Sequence, residues 1–244
     1  MECQRRVCLY NDIEGDEQKK VPLLRDVFIP LKLTQSGLVG GPMGSHHIET
    51  MNEFAPQFLG RYDLTIWDLL KEVRRRLTYS RLIIQANGGF GKTTLLRHIT
   101  YTYTHKGFEK AEKLEGVPRL IPVLIYLRKW QGLIAPEDRQ TLGPDLPTLI
   151  TDHHIPELPG GKKLKIPSTW AQRLLSNGDA LILMDGFDEV AESQRNHVSH
   201  WINAQMRCYP KSVFILTSRP GGYQSYIGKN NFKSTVFVQP FKKR

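Results

Sequence analysis

The sequence predicts an α/β fold: a three-layer sandwich in which helices cover a five-stranded parallel sheet, preceded by an N-terminal extension. From Ser80 onward, short apolar runs alternate with helical patterns, which is typical of chains whose parallel strands are buried on both faces. A glycine-rich turn separates the first run from the first helix that follows it. Two later runs end in charged or hydroxyl residues, and the carboxyl ends of parallel strands meet at one edge of a sheet. These observations predict a ligand site at that edge.

The bulk composition fits a globular chain of one large or two small domains. Of its 244 residues, 40% are hydrophobic and 24% are charged, which is ordinary for a folded protein. No apolar run approaches the ~18 residues that a membrane-spanning helix needs, and the N-terminus lacks the apolar stretch of a secretory signal. The three cysteines are scattered and odd in number, which favours a reducing cytoplasm over a disulfide framework.

Residues 1–60 are expected to form the extension and residues 61–244 the main domain. Within the extension, 25–33 has the pattern of a short strand, which Pro30 would confine to the edge of a sheet. The stretch 35–45 holds four glycines and a proline, and it is expected to be a flexible loop.

In the main domain, the first helix should follow Thr65 as its N-cap and continue to about Leu77. Apolar residues at helical spacing predict another helix after the glycine-rich turn, and a third from about Ser193 to Arg207. The inner stripe of the helix after the turn is expected to be Leu95, Leu96, Ile99 and Tyr103. Five apolar runs predict the core strands, at 81–86, 120–127, 180–185, 212–217 and 234–239.

Between the second and third core strands, a stretch rich in proline, glycine and lysine predicts a loop over 156–167. Thr169 and Gln172 then have the spacing of a capping box, which predicts a helix at 170–176. Gly178 should end that helix, because glycine readily takes the left-handed conformation of a C-terminal cap.

The glycine-rich turn has the residues of a phosphate-binding loop, Ala86-Asn87-Gly88-Gly89-Phe90-Gly91-Lys92-Thr93-Thr94. Its glycines allow successive backbone N–H groups to face a polyphosphate, and the following helix adds the positive end of its dipole. Lys92 can reach the β- and γ-phosphates, and the Thr93 hydroxyl can bind Mg²⁺. Ala86 replaces the first glycine of the usual pattern, which requires that its backbone has no positive φ. The alternative, a chance glycine-rich turn, is disfavoured by the strand before it and the helix after it.

A second signal is the apolar strand that ends at Asp185 and continues into Gly186-Phe187-Asp188-Glu189. The Asp185 carboxylate would lie at the same sheet edge as the phosphate loop and could hold Mg²⁺ opposite Thr93. Asp188 and Glu189 could orient or deprotonate the attacking water. An ordinary solvated acidic turn is the alternative.

A third signal is the strand that ends in Thr217-Ser218-Arg219-Pro220. Arg219 at this place could contact a γ-phosphate through a charge-assisted hydrogen bond. The alternative is a surface turn formed by Pro220 and the two glycines after it.

Together, the loop ending in Gly91-Lys92-Thr93, the acidic segment 181–189 and the segment 217–220 make this chain similar to the NACHT family of P-loop NTPases, within the STAND group of signalling ATPases. The small Gly186 after the magnesium aspartate is typical of that family. The resemblance implies ATP or ADP with Mg²⁺ as ligands, and a sheet in which the strand ending at Thr217 lies between the other two. It also implies ATP/ADP exchange as a switch for homo-oligomerisation, with slow hydrolysis.

The resemblance also implies domains that this sequence does not contain, since family members continue into a helical domain, a winged helix and a repeat sensor. The sequence ends at Arg244, just after the last predicted strand. The expectation is a truncated product, a fragment or a minimal module. One alternative in function is a non-hydrolysing module in which nucleotide only supports protein interaction.

The net charge of +10 raises a second alternative, attraction to nucleic acid. The basic clusters are short and dispersed, and no aromatic residues alternate with them as in a base-stacking surface. A nucleic-acid partner is therefore disfavoured, and a nucleotide is the expected ligand. Adenine is favoured because the chain has no Asn-Lys-x-Asp sequence for reading guanine. His197 and His200 have helical spacing for a zinc site, but no third ligand is evident.

Overall fold

The computed structural model of the chain describes residues 30–34, 63–104, 114–136 and 143–239. Its centre is a six-stranded sheet in the order β1-β6-β2-β5-β4-β3. The strands are β1 Leu33–Thr34, β2 Arg81–Gln85, β3 Ile121–Tyr126, β4 Ala180–Asp185, β5 Val213–Ser218 and β6 Ser234–Val238.

Strands β2 to β6 are mutually parallel, so the five predicted core strands are confirmed, each within about one residue of its expected bounds. Strand β5 lies between β2 and β4, as the family resemblance implied. The sheet also contains a sixth strand, β1, which pairs antiparallel with β6. Only part of the expected strand 25–33 lies among the described residues, and β1 begins at its last position. The predicted loop 35–45 lies outside the described residues.

The helices are α1 Ile66–Glu72, α2 Lys92–Thr104, α3 Leu127–Ile134, α4 Leu146–Thr148, α5 Ile155–Glu157, α6 Trp170–Asn177, α7 Glu192–Cys208 and α8 Pro220–Tyr223. A π-helical turn, Leu149–His154, joins α4 to α5. The stretch 156–167, expected to be a loop, therefore begins inside α5, and it also contains a 3₁₀ turn, Gly161–Lys163.

Alternate residues of strands β2 to β5 enter two separate cores, which makes the molecule a three-layer sandwich. Leu82 and Ile84 of β2 pack with α1 and α2 on one face of the sheet, where the whole predicted stripe of α2 is buried. Ile83 packs on the other face with α3, α6 and α7. Burial on both faces explains why the strands read as continuous apolar runs.

The helix ends confirm some predicted caps and correct one. The Thr65 side chain accepts a hydrogen bond from the Asp68 amide, and the Asp68 carboxylate accepts one from the Thr65 amide, so α1 has a complete capping box. Gly178 ends α6 with a φ of 81°, as expected. The capping box predicted at Thr169 is wrong. Thr169 has φ −88° and ψ 1°, outside the extended region that an N-cap side chain needs, and it makes no side-chain cap hydrogen bond.

Candidate functional site

The phosphate loop lies between β2 and α2, at the carboxyl edge of the sheet. The Ala86 amide donates to the Ser218 carbonyl at 3.2 Å, so this position continues the hydrogen-bond ladder between β2 and β5. The tight part of the loop comes later, where Gly89 and Gly91 have φ values of 78° and 79°. Left-handed backbone favours glycine, so alanine would be strained at these two positions. Alanine is tolerated at position 86 because that residue still belongs to the ladder between β2 and β5.

Lys92 is half-buried in the first turn of α2, where its ammonium group turns back over the loop. Its Nζ donates to the carbonyl oxygens of Ala86 at 2.7 Å and Asn87 at 3.1 Å. Burial lowers the pKa of the Lys92 ammonium, and the negative charge of Asp188 opposes that effect. The loop thus places a cation at its own mouth, held by neutral carbonyl groups that a stronger anionic acceptor can replace.

Thr93 and Asp185 lie in direct contact, although they belong to separate elements. The Thr93 hydroxyl donates to Oδ2 of Asp185 at 2.7 Å. On the other side, the Thr217 hydroxyl donates to Oδ1 of Asp185 at 2.6 Å and accepts the Gly186 amide at 2.9 Å. Asp185 is only 7% exposed, so these contacts fix its carboxylate at the end of β4.

The donor set around Asp185 fits a hard divalent cation. Mg²⁺ prefers oxygen ligands, and it is usually held by one or two protein oxygens together with water and substrate phosphates. The Thr93 hydroxyl and the Asp185 carboxylate supply such oxygens next to the phosphate loop. Within the described ranges, no group of three or more histidine, cysteine, aspartate or glutamate side chains is arranged to hold a metal ion.

The acidic loop, Gly186–Val190, turns sharply after β4. Gly186 has a φ of 75°, and a Cβ atom there would lie 3.1 Å from Cδ of Glu189. Both the backbone conformation and this contact explain why the residue after Asp185 is a glycine. The Glu189 side chain folds back over that glycine and lines the cleft.

Asp188 and Arg219 form a two-point contact across the cleft. The Arg219 amide donates to Oδ1 of Asp188 at 2.9 Å, and its Nε lies 3.0 Å from Oδ2. Nη2 of Arg219 lies 3.3 Å from the point where a Cβ atom of Gly88 would be. The guanidinium group therefore lies between the phosphate loop and the acidic loop, with its side chain 60% exposed.

These parts enclose a cleft of about 250 Å³. It is lined by Gly88, Gly89, Phe90, Gly91, Lys92, Thr93, Thr94, Asp185, Gly186, Asp188, Glu189 and Arg219. All predicted site residues except Ala86 and Asn87 thus line one cleft, and those two hold the ammonium group of Lys92 through their carbonyls. The cleft suits a polyphosphate for three reasons. The phosphate loop offers backbone N–H groups, Lys92 and Arg219 supply positive charge, and the side-chain oxygens of Thr93 and Asp185 can hold a divalent cation.

Two contacts at the site were not predicted. A Cβ atom added to Gly222 would lie 2.3 Å from Cβ of Asp188, so α8 packs tightly against the acidic loop. Leu31 lies 3.4 Å from the corresponding point at Gly91, which brings the residues before β1 against the phosphate loop. The sequence shows a glycine at position 222, which is a possible sign of close packing. That Gly222 packs against Asp188 depends on the order of the strands, which this glycine does not reveal.

No described helix is long and apolar enough to cross a membrane. A comparison with curated protein sequences gives no match. Among protein families, the NACHT domain matches residues 80–244, which is more than half of the chain and includes the phosphate loop, the acidic loop and Arg219. This protein belongs to the NACHT family of nucleotide-binding P-loop NTPases.

Proposed function

We propose that this chain is an ATP-binding, Mg²⁺-dependent NTPase module of the cytoplasm. In this proposal, exchange of ADP for ATP is a signalling switch that controls homo-oligomerisation, and hydrolysis is slow. Nucleotide binding itself follows from family membership. The absence of a guanine-reading sequence supports adenine as the base.

The observation that carries the proposal is the contact between Thr93 and Asp185. These residues are distant in the chain, yet their side-chain oxygens lie 2.7 Å apart beside the phosphate loop. Thr93 and Asp185 would hold Mg²⁺, which neutralises charge on the β- and γ-phosphates when it is bound. Lys92 would exchange its two carbonyl partners for phosphate oxygens, because a charged acceptor makes a stronger hydrogen bond than a neutral one.

The pair of Asp188 and Arg219 supports slow hydrolysis. Arg219 would bind the γ-phosphate, and Asp188 with Glu189 would orient the attacking water and accept its proton. Arg219 contacts both oxygens of Asp188, and a carboxylate that takes up the proton of water would lose its ion pair with Arg219. Asp188 cannot fully serve both Arg219 and the attacking water, so hydrolysis should be slow and ATP should stay bound for long periods.

Substitution of Lys92 with alanine tests the phosphate-loop assignment. We expect nucleotide binding to be lost while the fold is kept, because Lys92 is half-buried and hydrogen-bonds only loop carbonyls among the contacts described above. Calorimetric titration with ATP and Mg²⁺ measures the affinity, and Lys165→Ala, at an exposed lysine, is the matched control. A Lys92→Ala protein that binds ATP as tightly as the wild type would refute the assignment.

The tight hold of Arg219 on Asp188 also favours a second candidate, a nucleotide-dependent interaction module that does not hydrolyse ATP. Steady-state phosphate release, with Lys92→Ala as the background, separates the two candidates. Turnover above that background supports the NTPase, and its absence with intact ATP binding supports the interaction module. Sedimentation with ADP and with ATP tests the switch, since only ATP should raise the molecular mass.

A further inference from the structure

We propose that Arg195, in the first turn of α7, is a positioning residue that holds the acidic loop so that Asp188 can orient Arg219 toward the γ-phosphate. The proposal rests on the proposed function, because it assumes that Arg219 contacts the γ-phosphate. It adds a residue outside the cleft, which neither the phosphate-loop pattern nor the acidic pattern contains.

The side chain of Arg195 holds the main chain of the acidic loop at two points. Its Nη2 donates to the Asp188 carbonyl at 3.0 Å, and its Nε donates to the Val190 carbonyl at 3.0 Å. Arg195 is half-buried, and its own backbone is fixed within α7. Its carbonyl accepts the Ser199 hydroxyl at 2.7 Å, and its amide donates to the Ala191 carbonyl at 3.1 Å. A rigid helix therefore carries the group that holds the loop.

Asp188 is held from three directions, and each contact constrains a different part of it. Arg195 holds the carbonyl, Gly222 packs against Cα and Cβ, and Arg219 contacts both carboxylate oxygens. Only the last of these contacts lies in the cleft. If the carbonyl is released, the loop can shift, and the carboxylate then no longer meets both Nε and the amide of Arg219.

The chemistry of these contacts requires an arginine. A guanidinium group is planar and presents its N–H donors in a fixed fork, so it can satisfy two carbonyl oxygens at once. A lysine ammonium is a single point of charge on a flexible stem and can hold one carbonyl well. Lysine should therefore restore only part of the function that alanine removes.

The proposal predicts a selective effect on ATP. ADP has no γ-phosphate, and its binding depends on the phosphate loop, which Arg195 does not contact in the described residues. ATP in addition needs Arg219 in place. Loss of one net hydrogen bond to the γ-phosphate corresponds to roughly a fivefold change in affinity. Arg195→Ala should thus weaken ATP relative to ADP by about fivefold, and Arg195→Lys should lie between alanine and the wild type.

The test is a double-mutant cycle on nucleotide affinity. Calorimetry with ADP and with a non-hydrolysable ATP analogue, both with Mg²⁺, gives the affinity ratio for the wild type, Arg195→Ala, Arg219→Ala and the double variant. Arg207→Ala, at an exposed arginine of the same helix, is the matched control and should keep the wild-type ratio. If Arg195 acts through Arg219, then Arg195→Ala has no further effect on the ratio once Arg219 is alanine.

Two results would overturn the proposal: an unchanged ratio in Arg195→Ala, which includes an equal loss of ADP and ATP affinity, or an effect that simply adds to that of Arg219→Ala. If Arg195→Ala does not fold, Arg195→Lys carries the same cycle, because it keeps the charge and most of the stem. A wild type that binds neither nucleotide would overturn the proposed function as well. Normal wild-type binding with an unchanged ratio would overturn only the role of Arg195.

Discussion

Replacing Thr217 with valine should destabilise the fold by roughly 3 kcal/mol, because it removes a hydroxyl group that makes two buried hydrogen bonds. The two side chains have nearly the same shape, so the substitution changes little else. Thr217 is fully buried, and its hydroxyl donates to Asp185 at 2.6 Å and accepts the Gly186 amide at 2.9 Å. A hydrogen bond to a charged group contributes about 1.5–3 kcal/mol, and a buried amide left without a partner costs about 1–3 kcal/mol. The lower halves of both ranges apply, since the backbone at Gly186, the first residue of the acidic loop, can shift slightly and the Asp185 carboxylate keeps its bond from Thr93.

Urea unfolding measures this loss. With a slope of about 2–3 kcal/mol per molar urea, a loss of roughly 3 kcal/mol lowers the unfolding midpoint by roughly 1 M, with the slope unchanged. Thr217→Ser is the matched control: it keeps the hydroxyl and removes one methyl group, which costs about 1 kcal/mol. If the valine variant is as stable as the serine variant, the hydroxyl does not stabilise the site and the reasoning is wrong.

Three further predictions concern the site and one half-buried histidine. Gly186→Ala should lower the melting temperature more than Gly116→Ala does, because the two glycines have similar φ values of 75° and 79° but only Gly186 lies against Glu189; equal shifts would contradict this contact. Burial lowers the pKa of His98 to about 4, so the unfolded chain binds a proton that the folded chain excludes. Stability in urea should therefore fall as the pH drops from about 6.5 toward 4, and His98→Asn should flatten that dependence; an unchanged pH dependence would assign it to other groups. Asp185→Asn should weaken Mg²⁺-dependent ATP binding, whereas Glu189→Gln should keep binding and lower turnover, and the same loss of affinity in both variants would contradict this division.

The core strands could be predicted well, because each of them is recognised from a short run of neighbouring residues in the sequence. A strand buried on both faces needs a continuous apolar run, and β4 has the bounds expected from Ala180 to Asp185. The short strand β1 could not be assigned in the same way, since it has two residues and its partner β6 lies near the other end of the sequence. The capping pattern at Thr169 failed because this residue lies in a turn, in which the Trp170 amide donates to the Pro167 carbonyl at 2.9 Å, and its backbone is therefore not extended.

Which residues line the cleft was also predictable, because parallel strands bring their carboxyl ends together. How these residues pair was not. The sequence assigns Asp188 to water and Arg219 to phosphate, while the structure pairs them with each other. The contacts of Arg195 and Gly222 depend on side-chain directions across elements that are far apart in the sequence, and no local pattern reports such directions.

The strand order has a consequence for how the chain folds during synthesis. Strand β2, which leads into the phosphate loop, pairs with β5 and β6, the last two strands in chain order among the described residues. Until the chain has been completed through Val238, the apolar stretch Leu82–Ile84 lacks one or both of these neighbours. An unpaired apolar strand invites pairing with other chains, and long-range pairing is slow.

A nascent chain that ends before Val213 should therefore gain no protection from proteolysis when ATP is present, although it already contains Lys92, Thr93 and Asp185. Strand β2, which carries the phosphate loop, would have neither of its partner strands. Protection of such a shortened chain by ATP would show that β2 and its loop form early. If protection begins only after β6 is complete, the apolar strand β2 stays open to pairing with other chains until β6 has left the ribosome.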